Sequence, residues 1–346
     1  MTGIRNLWDA ASQEVQLTEV DGGSDFDKYV LFMGGKSSGK TTAILKFLSR
    51  DESCKPTTGL EYTFARRATN LQNKMTGHIW ELGGGTNLSK LLDIPLKIET
   101  LHQMTIILVL DLSEPSKLWH TAETLLSKAS ERLDQVIKQA AKRDSSLVQK
   151  ITKAAWEKVG GRDRQDVNTI QPFPVPLVII GSKYDQFQDT IEAEKRKVIT
   201  KCLRYLAHSN GATLLYLSSK IDATVRGLRH VMNVAAFDGQ LNKSPVIDGS
   251  RPIYVPAGMD SIDAIGSPPL SGSDVGRGGS RNPAETWRIA FCGHFPQEGA
   301  EVKRSDDPCK DPQFKEPKID ELRSQKDREL EVFKKQESQK WTARLN

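Results

Sequence analysis

Between Gly34 and Thr41 the chain reads GGKSSGKT, which satisfies the spacing GxxxxGK[ST]. That pattern constrains the fold more than any other feature, because it works only as a tight loop between a buried strand and the first turn of a helix. Both flanks are present. The apolar run KYVLFMG from Lys28 reads as a strand covered on both faces, and Ile44, Leu45 and Leu48 recur at helical spacing behind Lys40. In such a loop the glycines let successive backbone N–H groups turn inward on phosphate oxygens, and the helix N-terminus adds further donors. The expected cradle is Gly34, Gly35, Lys36, Ser37, Ser38, Gly39, Lys40, Thr41 and Thr42. Lys40 is expected on the β and γ phosphates and Thr41 on Mg²⁺.

Downstream, strands and helices alternate. Strands are expected at Glu61 to Ala65, at Gly77 to Leu82, and over TIILVLDL from Thr105, VPLVIIGSKYD from Val175 and ATLLYLSSK from Ala212. Helical faces follow Pro115 (Leu118, Ala122, Leu125, Ala129, Leu133, Val136, Ala140), continue through Leu147, Ile151 and Ala154, and recur from Ile191 to Ala207 and from Val225 to Ala235. This order predicts an α/β fold, a mostly parallel sheet with helices on both faces and the ligand at the carboxyl ends of the strands; the resemblance of the strand-end elements set out below to those of GTP-binding proteins makes the expected type the Ras-like P-loop GTPase fold. An N-terminal arm, weakly helical around Leu7 to Val15 and Gly-rich at Asp21 to Ser24, spans residues 1–27, and the P-loop domain spans 28–237. From Asp238 to residue 317 the composition turns to Gly, Ser, Pro and Asp, which predicts an extended segment. Residues 318–346 are charged, with a thin stripe of Ile319, Leu322, Leu330, Phe333 and Trp341, and predict an exposed helix that docks on another chain.

Composition excludes other classes. Charged residues make up 27% of the chain with a net charge of only +5, which does not point to nucleic acid. The apolar runs fall far short of the roughly 18–20 residues of a membrane span. The start MTGIRNLWDAASQEV lacks a secretory core, so an intracellular protein with reduced cysteines is expected. The four cysteines and six histidines show neither zinc nor HExxH spacing.

The remaining strand ends refine the nucleotide. SKYD, Ser182 to Asp185, resembles the Asn-Lys-x-Asp element of GTP-binding proteins, with Lys183 and Asp185 facing guanine. SSK, Ser218 to Lys220, resembles their Ser-Ala-Lys element, with Ser219 and Lys220 at the base. KPTTGLEYTF resembles switch I, which makes Thr57 a second Mg²⁺ ligand, and WELGGG resembles switch II. Three departures put hydrolysis in doubt. Glu81 replaces the Asp of the magnesium shell, Ser182 replaces the Asn that ties the base loop to the P-loop, and Gly85 stands where a Gln would orient the attacking water. GDP or GTP with Mg²⁺ is the expected ligand, with an adenine nucleotide or an empty site left open. Asp111 is expected to cap the turn after its strand, and Trp80 and Trp119 to be wholly or half buried.

FMGGKSSGKTT, IWELGGGTNLSKLLDIPL, PFPVPLVIIGSKYDQFQD and YVPAGMDSIDAIGSPP together resemble the dynein light intermediate chain family, in the form found in cytoplasmic dynein 2, the ciliary motor. The resemblance implies a non-catalytic pseudo-GTPase subunit that docks on the dynein heavy chain beside the other dynein 2 subunits. It also implies service on intraflagellar transport trains, an indirect relation to microtubules, and a place in the cytoplasm, ciliary base and axoneme. A light intermediate chain of cytoplasmic dynein 1 and a nucleotide-switched GTPase are the alternatives, and a P-loop kinase or ATPase ranks last.

Overall fold

The computed structural model describes residues 27–68, 74–143, 145–248, 251–270, 282–297 and 316–345. The weakly helical arm expected at Leu7 to Val15 lies outside them. Two compact units divide between Glu298 and Gly299.

The first unit is built on a sheet of seven strands. These are β1 (Lys28–Gly34), β2 (Leu60–Ala68), β3 (Lys74–Leu82), β4 (Met104–Asp111), β5 (Leu177–Ser182), β6 (Thr213–Tyr216) and β7 (Tyr254–Val255), in the order β2-β3-β1-β4-β5-β6-β7. The five central strands are parallel, whereas β2 pairs antiparallel with β3 and β7 antiparallel with β6. Strands β1, β4, β5 and β6 are largely apolar without alternation because helices cover both faces, whereas β3 alternates, with Met75, Gly77 and Ile79 buried and Thr76, His78 and Trp80 half-buried. On one face α1 (Lys40–Leu48) and α6 (Asp222–Phe237) close over Val30, Phe32, Ile79, Ile107 and Ile180. The other carries α2 (Pro115–Arg143) and α5 (Ala193–Ser209), packed on Leu31, Met33, Leu108, Ile179 and Leu214. Strand alternation thus divides one sheet between two cores. Trp119 is buried on α2 and Trp80 is half-buried on β3.

Further elements between the strands include α3 (Ser145–Lys158), α4 (Tyr184–Thr190) and a 3-10 segment, Gly85–Asp93, after β3. The fifth strand stops at Ser182, and Lys183 turns into α4 in the left-handed conformation, so KYD is not strand.

Between 238 and 317 the described residues are not simply extended. Beyond the expected boundary the first unit continues through β7, α7 (Ile262–Ile265) and α8 (Pro283–His294). Asn282 accepts from the Ala284 N–H and Pro283 occupies the first helical turn, a strong local start. Trp287 of α8 stacks on Tyr205 of α5 with ring centroids 4.5 Å apart, and Phe291 meets Trp119 at 5.2 Å. Gln297 caps α2: its Oε1 accepts from the N–H groups of Trp119 and His120, and its Nε2 donates to Pro115 O.

Buried ions complete the attachment. Arg204 of α5 grips the Asp260 carboxylate through two bonds of 2.8 and 2.7 Å, with side-chain exposures of 10% and 4%. Arg164 donates to the Gly258 and Asp260 carbonyls, each at 2.6 Å, and its Nε donates to Asp166. His208 Nε2 lies 2.7 Å from Asp166. Burial pushes the Asp166 carboxyl up, but the hydrogen bonds from Arg164 and His208 outweigh it and hold the group at about 2.

The second unit holds α9 (Pro317–Leu345), where Ile319, Leu322, Leu330, Val332 and Phe333 are all exposed. The Trp341 side chain lies outside the description.

Candidate nucleotide site

The phosphate loop leaves β1 where that strand lies between β3 and β4. A side chain at Gly34 would lie 2.2 Å from the Val109 carbonyl of β4, so only glycine allows the loop to begin there. Ser37 and Gly39 both have positive φ, at 58° and 87°, and α1 starts without a side-chain cap. That geometry leaves the first-turn amides of Lys40 and Thr41 to a ligand. Lys40 is buried and its ammonium donates to Gly34 O at 3.2 Å and Gly35 O at 2.8 Å, bracing the loop; burial lowers its pKa. The Ser38 hydroxyl is buried without a partner among the described residues. An orphaned hydroxyl inside a cradle of this shape fits a phosphate-binding loop.

Thr41 and Thr57 meet the two carboxylates of one cross-strand pair, Glu81 and Glu61. Thr41 Oγ1 donates to Glu81 Oε1 at 2.7 Å, while Thr57 Oγ1 lies 3.5 Å from Glu61 Oε2, on the residue that faces Glu81 across the β2–β3 pair. Burial raises the Glu81 pKa against the Thr41 bond and the Lys40 charge. The two hydroxyls expected around magnesium are therefore neighbours, and Glu81 reaches one of them directly.

Ser182 does not lose the tie between base loop and phosphate loop. Its buried hydroxyl donates to Ser38 O at 2.6 Å and approaches Leu110 O at 3.0 Å. A short hydroxyl suffices because β5 delivers Ser182 close behind the loop. Asp185 accepts from Ser218 Oγ at 2.9 Å and pairs with Lys220 at 2.7 Å, a contact that holds its carboxyl low. The Lys183 ammonium pairs with Asp111 at 2.5 Å, while Asp111 also caps Ser113. A cleft of 220 Å³ runs between Ser37, Gly39, Thr42, Asp185, Ser219 and Lys220, the place a base would take. A second cleft of 410 Å³ lies between Lys36, Gly85, Asn87, Asp111 and Thr121.

Switch II is set by close backbone approach. A side chain at Gly83 would lie 2.4 Å from Thr57 O, and the Gly83 amide donates to Gly59 O at 2.6 Å. Gly85 has φ of 62° and sits against the Lys36 amide, which a Cβ would meet at 3.2 Å. No side chain at position 85 reaches toward the phosphate loop. Sequence reasoning missed Ser218 as the holder of Asp185 and Asp111 as the partner of Lys183, although SSK and the end of the fourth strand carried both signals. Among the described residues no three His, Cys, Asp or Glu side chains gather as a metal site, and no helix is long and apolar enough to cross a membrane.

The sequence model of the dynein light intermediate chain (DLIC) family matches residues 3–172. The chain is 44% identical over 342 residues to the mouse protein named cytoplasmic dynein 2 light intermediate chain 1, covering 97% of both chains. The zebrafish protein of the same name is 43% identical over 347 residues, covering 97% of this chain and 96% of that one. In three dimensions the chain is similar to the crystal structure of the dynein light intermediate chain's conserved domain, with a TM-score of 0.55 at 15% identity, over 79% of this chain and 99% of that one. The chain therefore belongs to the dynein light intermediate chain family, among the light intermediate chains of cytoplasmic dynein 2.

Proposed function

We propose that this chain binds and stabilises the cytoplasmic dynein 2 heavy chain for retrograde intraflagellar transport and cilium assembly, and that it does so without hydrolysing nucleotide. The observation that carries the reading is likeness to cytoplasmic dynein 2 light intermediate chains along 97% of both chains, including the segment clamped by Arg164 and Arg204. It works in the cytoplasm and cilium, at the ciliary base and along the axoneme, and meets microtubules and transport trains through the assembled motor.

The nucleotide site serves as a fold element. Backbone groups from Gly34 to Thr42, with Lys40, would hold phosphates, Asp185 would accept from guanine, and the Ser219 amide would face the base. Thr41 and Thr57 would hold Mg²⁺. The Ser182 tie and the Ser218–Asp185 bond support guanine over adenine. Glycine at position 85 offers nothing to position an attacking water, and water positioning is most of what a protein supplies to such a reaction.

Co-expression with the cytoplasmic dynein 2 heavy chain, followed by extraction and identification of any nucleotide in the complex, tests both parts. The expected result is co-purification, retained by Lys40→Ala, with any guanine nucleotide recovered unhydrolysed. A folded chain that fails to retain the heavy chain overturns the first part, and steady GTP turnover overturns the second. A nucleotide-switched GTPase is the second reading, favoured by the convergence of Lys40, Thr41 and Thr57; loss of heavy-chain binding in Lys40→Ala, with GTP-dependent association, would establish it.

A further inference from the structure

The two edges of the sheet are protected differently. At one end β7 has two residues, and its outer side is bridged by Val246. At the other, β2 runs nine residues without proline, and among the described residues no strand pairs with its outer side. An open edge of that length is a template for another strand.

The register shows which groups face outward. Gly83 donates to Gly59 O, so Gly59 and Gly83 form a hydrogen-bonded pair. Alternation along an antiparallel ladder then turns the main-chain groups of Glu61, Thr63, Ala65 and Arg67 toward β3 and those of Tyr62, Phe64 and Arg66 outward. The side chains of Tyr62 and Phe64 are 47% and 43% exposed, Arg66 lies over the Phe64 ring at 4.8 Å, and Glu61 and Arg67 project from the opposite face.

We infer that the outer edge of β2 pairs antiparallel with β2 of a second copy of this chain, about a two-fold axis at Phe64. Only a two-fold register that keeps side chains on their own faces is allowed. Centred on Phe64, it sets Glu61 against Arg67 of the other copy, Tyr62 against Arg66, and Phe64 against itself. Opposite charges and cation–aromatic pairs therefore meet on both faces. The neighbouring register, centred on Thr63, sets Glu61 against Ala65 and Leu60 against Arg66, and loses both. The strand's charge order, acidic before the centre and basic after it, selects the second copy over an unrelated acidic strand. A single strand edge is a small interface, and association near micromolar is expected.

Sedimentation equilibrium of the full chain from about 1 to 100 µM tests this. The expected result is a reversible dimer that Glu61→Arg and Arg67→Glu each weaken at least about tenfold, and that the double swap restores to within about threefold. Glu61 neighbours Thr57, so a crosslink supplies a second measurement. In a Cys54→Ser background Phe64→Cys is expected to form a dimer disulfide under mild oxidation and Tyr62→Cys is not, since only position 64 meets itself at about 5.5 Å. A monomer throughout the range, single reversals without effect, or equal crosslinking at positions 62 and 64 overturns the inference. Stable 1:1 capture of the edge by an acidic strand of another protein, with no self-association, does so too.

Discussion

Removing the carboxylate of Asp260 probes how the chain closes beyond its sixth strand. In the wild-type protein Arg204 makes two charge-assisted bonds to that carboxylate, and neither side chain is more than 10% exposed. Asp260→Ala leaves a guanidinium buried without its counter-charge, a change that costs about 3–5 kcal/mol where pairs of this kind have been broken. The carboxylate also accepts from the Ser261 amide at 3.0 Å, so the loss falls in the upper part of that range. Total stability of a domain is about 5–15 kcal/mol, and for a unit of this size each kcal/mol moves Tm by about 2–4 °C. Scanning calorimetry is therefore expected to show a drop on the order of 10 °C. Limited proteolysis should open the chain between 238 and 262 first, because the Arg164 bonds to the Gly258 and Asp260 carbonyls lose their support. The double variant Arg204→Met/Asp260→Ala removes the stranded charge and should recover much of the loss. A fall below about 1 kcal/mol for Asp260→Ala alone, the level of a surface pair, refutes the reasoning.

Three further outcomes are expected. Gly85→Gln introduces a side chain at φ of 62° beside the Lys36 amide; it should lose about 1–3 kcal/mol in urea denaturation and gain no GTP turnover, and a rise in turnover would contradict the non-catalytic reading. Asp166, held at about 2 against an ordinary 3.8, contributes stability that is present above pH 3.8 and lost as pH falls toward 2; Asp166→Asn should remove about 2 kcal/mol at neutral pH and flatten that acid limb in pH-dependent denaturation. Burial pushes the Cys202 thiol up to about 12 while Cys54 is exposed, so alkylation read by mass spectrometry should modify Cys54 at least about 10³-fold faster in the folded protein. Equal labelling would place Cys202 elsewhere.

The sheet was legible wherever burial was two-sided. The runs around Val30, Ile106 and Val178 announce central strands because a strand covered on both faces is nearly continuous in apolar residues. The phosphate loop was legible because its geometry demands Gly34 and Gly39 at fixed positions. The attachment of 251–270 was not, since its anchors are Arg164 and Arg204 meeting carbonyls and a carboxylate some ninety-six and fifty-six positions away. Spacing in sequence carries no trace of such contacts. Helix α8 did carry its own signal in Asn282 and Pro283, but the glycine- and serine-rich stretch before it obscured that start. Ser182 illustrates the converse limit: the residue type suggested a lost tie, and only the proximity of β5 to Ser38 restores it.

The clamp on Asp260 also sets a timetable. During synthesis β1 through β6 leave the ribosome well before Asp260 and Phe291, yet α5 presents Arg204 and Tyr205 to residues that have not been made. Contacts across such separations carry a loop-closure cost and form late. Until then the outer face of α5 and the edge of β6 stand uncovered, a nascent surface that a chaperone can shield.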